Sequence, residues 1–126
     1  MKQRILPLAG LVLAALLFAA CGGDSGDIGD RDPDIRGEIT SLTPGSGDTL
    51  VTILIEGKVE PDTGYDKASL RVAKDTEVVR LQGADQVEAD WSDLAEGQQV
   101  EAWFEGPVAE SYPVQAKAGR IVIISD

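Results

Sequence analysis

In several runs between Ile35 and Ile123 apolar side chains recur at every second position, with polar ones between them. Only an extended strand puts alternate residues on opposite faces, so this period commits those runs to half-buried β-structure. Ile35, Gly37, Ile39 and Ser41 alternate against Arg36, Glu38, Thr40 and Leu42. Val51, Ile53 and Ile55 alternate against Leu50, Thr52 and Leu54, and the turn-forming run Pro44–Asp48 lies between the two sets. A first long hairpin is expected there. Glu60–Asp66 breaks the pattern as a loop, after which Ala68–Val72 and Glu77–Leu81 read as a third strand interrupted near Lys74–Asp75.

Asp90 to Gly97 has an aspartate suited to cap one helical turn and a glycine suited to end it, with Trp91 and Leu94 spaced to face inward together. A fourth strand then carries Val100, Ala102 and Phe104 on its apolar face, which leaves Trp103 on the other. A fifth carries Val114, Ala116 and Ala118 and changes parity at Gly119, so that Ile121 and Ile123 continue the apolar face; a glycine at such a change marks a bulge. Five bent strands with one helical turn before the fourth is the element order of a small Greek-key barrel of the oligonucleotide/oligosaccharide-binding (OB) type. Closure favours that fold over a five- or six-stranded sandwich or a lipocalin fragment, because a small domain without disulfides gains by leaving few strand edges unpaired.

The start of the chain obeys a different rule. Lys2 and Arg4 precede sixteen apolar or small residues, Ile5 to Ala20, and then Cys21. A charged start, a short apolar run and small residues form the pattern of a secretory signal, and spanning a bilayer takes about 20 apolar residues. The segment Leu17-Phe18-Ala19-Ala20-Cys21 resembles the lipobox of bacterial lipoproteins, although Phe18 stands where leucine is usual. That resemblance implies that Cys21 is linked to diacylglycerol and becomes the new N-terminus. The alternatives are an ordinary cleaved signal or an uncleaved membrane helix. The chain holds a single cysteine, which in an exported protein would otherwise be a thiol with no internal partner. The expected organisation is a signal peptide over 1–20, the lipidated Cys21 and a flexible Gly/Asp linker over 21–33, and a β-barrel over 34–126. The expected site is the extracytoplasmic face of the bacterial cell envelope, with the protein held to a membrane through Cys21.

The barrel resembles a known family in Ile35-Arg36-Gly37-Glu38-Ile39, Thr76-Glu77-Val78, Leu94–Phe104 and above all Gly106–Ala116, where Glu110-Ser111-Tyr112-Pro113-Val114-Gln115-Ala116 is the most specific part. Together these segments resemble domain-of-unknown-function family 3221, the YobA-like extracytoplasmic domains. The resemblance implies a small barrel on an exported bacterial protein and assigns no chemistry.

The residues themselves exclude much chemistry. There is no histidine, so neither a serine–histidine–aspartate triad nor an imidazole metal site can be built. No serine has a lysine three positions later, and the glycines of residues 22–29 follow no strand, so serine–lysine catalysis and phosphate-cradling loops are absent. Glu56, Glu60, Glu101, Glu105 and Glu110 read as solvated surface charge, since a glycosidase pair needs a deep groove between its carboxylates. No enzyme activity, cofactor or metal is expected.

The chain carries a formal charge of -11, and residues 1–20 contribute two basic groups and no acidic ones, so without them the charge is -13. Nucleic acid and anionic headgroups are therefore not expected partners of the general surface, and the nine remaining basic residues are scattered. The function expected is a non-catalytic interaction module for an envelope protein or glycan. Trp103, Tyr112 and Tyr65 would supply an aromatic surface, with polar contacts from Glu110 and Gln115. The alternative is a small-ligand or divalent-cation-binding lipoprotein that uses its acidic loops.

Overall fold

A computed structural model describes residues 31–126, where the chain forms one compact unit. The signal, Cys21 and the linker up to Asp30 lie outside the described residues.

The alternating pattern forms strands throughout: β1 (Ile35–Pro44), β2 (Thr49–Gly57), β3 (Lys67–Ala73), β4 (Glu77–Gln82), β5 (Asp85–Glu88), β6 (Gln99–Ala109) and β7 (Val114–Ser125), with a 3-10 turn at Trp91–Asp93 before β6. β3, β2, β1, β6 and β7 are neighbours in that order, and a further parallel pairing of β3 with β7 brings the sheet back on itself. The result is a five-stranded ring in the OB-like order expected, with the helical turn in the expected connection. Its interior is filled by the alternate apolar residues, among them Ile35, Ile39, Ile53, Ile55, Leu70, Val100, Phe104, Ile121 and Ile123. Fully burying each such side chain contributes about 1.5–3 kcal/mol.

The strand count is corrected from five to seven. The expected third strand is two, because the chain turns at Lys74–Asp75 and Thr76 locks the turn: its hydroxyl accepts from the Ala73 amide (3.0 Å) and donates to the Ala118 carbonyl (2.7 Å). Past that turn the chain leaves the edge of β2. β3 pairs with Val114–Lys117 of β7, and β4 pairs with Arg120–Ile123, on either side of Gly119. The β6–β7 register slips between Trp103 and Phe104, opposite Arg120 and Ala118, which is the bulge anticipated at Gly119. β5 pairs with β4 alone, ends the sheet, and has all four residues exposed.

Two facings also differ from the alternation. A bulge between Ile39 and Ser41 resets β1 so that Leu42 lies opposite Ile53 and packs on the core rather than away from it. In the 3-10 turn Leu94 is buried but Trp91 is 39% exposed. The capping box around Asp90 and Asp93, with Asp90 Oδ2 accepting from the Ser92 amide (3.2 Å) and Asp93 Oδ2 from the Asp90 amide (2.9 Å), holds the turn tight. Side chains three apart eclipse along a 3-10 helix, but Leu94 is the C-cap and already extended (φ -72°, ψ 136°), so it leaves the face that Trp91 occupies.

Residues 31–33, which the sequence assigns to the linker, contact the strands. Pro33 is buried, Asp34 Oδ2 accepts from the Phe104 amide (2.7 Å), and Arg31 Nη2 donates to the Phe104 carbonyl (2.8 Å). The last residues of the glycine- and aspartate-rich segment are thus laid along β6.

Candidate functional site

The aromatic surface expected around Trp103 is not assembled. Trp103 does face away from the ring interior, but it is only 6% exposed. Its indole Nε1 donates to the Arg31 carbonyl (2.7 Å), and the Arg120 guanidinium lies 5.4 Å from its ring centroid. The physical reason is the docked segment at Arg31–Asp34, which covers the outer face of β6 and gives the indole its partner. Tyr65 is half-buried and packs on the core, with its ring 5.1 Å from that of Phe104. Tyr112 is exposed (69%); its hydroxyl donates to Asp66 Oδ2 (3.2 Å), and Lys67 Nζ lies 5.5 Å from its ring. Glu110 is exposed, and so is Gln115, whose amide donates to Ser111 Oγ (3.4 Å). Tyr112, Glu110 and Gln115 share one exposed corner, from which Trp103 and Tyr65 are withdrawn into packing.

Three carboxylates converge on one cation. Arg36 Nε donates to Glu101 Oε2 (2.8 Å), Nη1 to Glu60 Oε1 (2.8 Å), and Nη2 to Asp62 Oδ2 (2.7 Å). Hydrogen bonding to Asp62, then to Glu101, raises the Arg36 pKa further above its ordinary value, and the same bond from Arg36 holds the Asp62 carboxyl below the usual carboxylate range. The cluster pins the Glu60–Tyr65 loop to the β1–β6 pair. Among the described residues no group of three or more acidic or thiol side chains is placed to hold a metal ion, and no helix is long and apolar enough to cross a membrane.

A separate recess lies elsewhere among the described residues. A groove of about 520 Å³ runs between the β1–β2 turn (Gly47–Leu50), β3 at Arg71 and Ala73, the Lys74–Asp75 turn, and Lys117 of β7. Alternation puts Arg71 and Lys117 on the outer face, and the parallel β3–β7 register makes them direct partners. Lys117 is neutralised by Asp75 (2.8 Å) and Glu105 (3.4 Å), and the Asp75 bond raises its pKa while lowering that of Asp75. Arg71 and Lys74 are both exposed and make no ion pair among the described residues. Sequence reasoning missed this cluster because its members are scattered along the chain. The only signal was the parity of Arg71 and Lys117, which becomes informative once β3 and β7 are known to be neighbours.

An all-β ring of OB-like order with a groove on its β2–β3 side defines the class of protein. Residues 51–125 match the family described as protein of unknown function (DUF3221). The match covers more than half of the chain, and the chain belongs to that family; β1 precedes the matched region. No curated protein and no solved structure matches the chain.

Proposed function

We propose that this chain is a lipoprotein of the bacterial cell envelope, tethered to a membrane on its extracytoplasmic side through Cys21, and that its β domain is a non-catalytic binding module for an envelope component. The observation that carries the attachment is the apolar run ending in Ala19-Ala20 before the single cysteine. One lipid chain gives only marginal membrane binding, whereas a diacylglycerol supplies two chains and stable anchoring. The binding role draws support from the groove beside the β1–β2 turn, since OB-type barrels recognise ligands with the face of strands two and three and the loop joining strands one and two. The cation-binding alternative draws less support: the carboxylates that converge do so on the Arg36 guanidinium, which a divalent cation would have to displace.

Metabolic labelling with a fatty acid tests the attachment. The wild-type chain should take up label and sediment with membranes, and Cys21→Ser should lose both or accumulate unprocessed. A wild-type protein that takes up no label would overturn the tethered reading.

A further inference from the structure

We infer that the groove at Arg71, Lys74 and Lys117 is an anion site, which takes one phosphate or carboxylate group carried on a ligand of sugar size. The inference rests on the binding-module reading and says what the module recognises.

Charge distribution is the first argument. The chain is strongly acidic, yet the groove presents three cations against two carboxylates, Asp48 and Asp75. Asp75 is committed to Lys117 at 2.8 Å. Among the described residues Arg71, Lys74 and the isolated Lys58 make no ion pair, while the arginines at 31, 36, 80 and 120 and the lysines at 67 and 117 all have carboxylate partners; only in the groove do two unpaired cations lie together.

Register is the second argument. Arg71 and Lys117 are direct partners across β3 and β7, and like charges opposed across a sheet destabilise it. The fold neutralises Lys117 and leaves Arg71 uncompensated. A bound anion would give Arg71 the counter-charge that Asp75 and Glu105 give Lys117. Shape is the third argument. About 520 Å³ lies within the range of small-molecule sites. The guanidinium of Arg71 offers a planar fork that matches phosphate or carboxylate in a bidentate way, and Lys74 adds a mobile point charge. Leu50 supplies an apolar contact on the opposite wall.

Phosphate of this kind occurs free on small solutes and in lipid headgroups, so the experiment separates the two. The full-length chain in micelles of a neutral polyoxyethylene detergent is titrated calorimetrically with glucuronate, glycerol 1-phosphate and methyl glucoside, and separately with micelles containing phosphatidylglycerol. Glucuronate or glycerol 1-phosphate should bind, methyl glucoside should not, and affinity should fall as salt is raised. The double variant Arg71→Ala, Lys74→Ala should weaken binding by about tenfold or more, whereas Lys58→Ala, which removes an exposed lysine outside the groove, should change it by less than about twofold. Response to the phosphatidylglycerol micelles alone would support the anion site and assign its ligand to the headgroup. Binding unchanged in the double variant, or lost equally in Lys58→Ala, would overturn the site, as would methyl glucoside binding as tightly as glucuronate. An unchanged thermal midpoint of the double variant verifies that its fold is intact. A null result for every anion would overturn the anion site while leaving the fatty-acid labelling, and with it the tethered reading, untouched.

Discussion

Trp103 is where side-chain chemistry and local pattern part company. Alternation assigns it to the outer face and the structure agrees, yet outer does not mean exposed, because residues 31–34 return over β6 and provide a carbonyl at 2.7 Å for the indole. Trp103→Phe keeps most of the packing and leaves that carbonyl without its donor, so it should cost about 1 kcal/mol. Trp103→Ala should cost about 3–5 kcal/mol. Urea unfolding of the full chain checks both values, and no loss in Trp103→Phe would show that the hydrogen bond contributes nothing. Parity was legible at Trp103 and Lys117. What lay on top of each was not, since the covering groups come from distant parts of the chain. Arg31 is 72 positions from Trp103, and Lys117 meets an aspartate 42 positions away.

Among the elements, β1 and β2 bring Gly37 opposite Gly57. A Cβ on Gly37 would run into the Glu56 carbonyl, and one on Gly57 into that of Arg36. Neither contact involves the end of a flexible side chain, so the backbones themselves would have to part. Gly37→Ala should therefore lower the thermal midpoint by more than an alanine on the exposed face of the same strand, for example Glu38→Ala; equal shifts would show that the strands can separate freely. Strand positions and the Gly119 bulge were legible because each follows from a local alternation. The split of the third strand into β3 and β4, the existence of β5 and the bulge that turns Leu42 inward were not. Each depends on which neighbour a strand finds, and Thr76 fixes that choice by bonding to Ala118, 42 residues later. β5 also carries little apolar sequence of its own: Asp85–Glu88 has one apolar residue, Val87, and that residue is exposed.

For the molecule as a whole, a few ion pairs tie remote segments together: Asp62 to Arg36, Asp75 to Lys117, and Asp126 to Arg80 with help from Gln98. In each case the cation's hydrogen bond is the main reason that the aspartate ionises below its ordinary value of 3.8. A carboxylate whose folded-state pKa is depressed contributes stability that is present above its unfolded value and lost as pH falls through the folded one. The urea midpoint should thus decline as pH is lowered from 5 to 3, and Asp62→Asn should flatten that decline; an unchanged slope would remove the Arg36 cluster from the account. The free edge of β5 has its own consequence. If the chain is tethered as proposed, its copies on a lipid surface would meet far more often than the same number in solution, and an uncovered strand is a template on which a neighbour can add its own. Asp85 and Glu88 at the two ends of β5 set negative charge against negative charge in any such edge-to-edge encounter. Replacing both by threonine should turn a dispersed population into one that associates by light scattering. If the double variant stays monodisperse, some other feature keeps crowded copies apart.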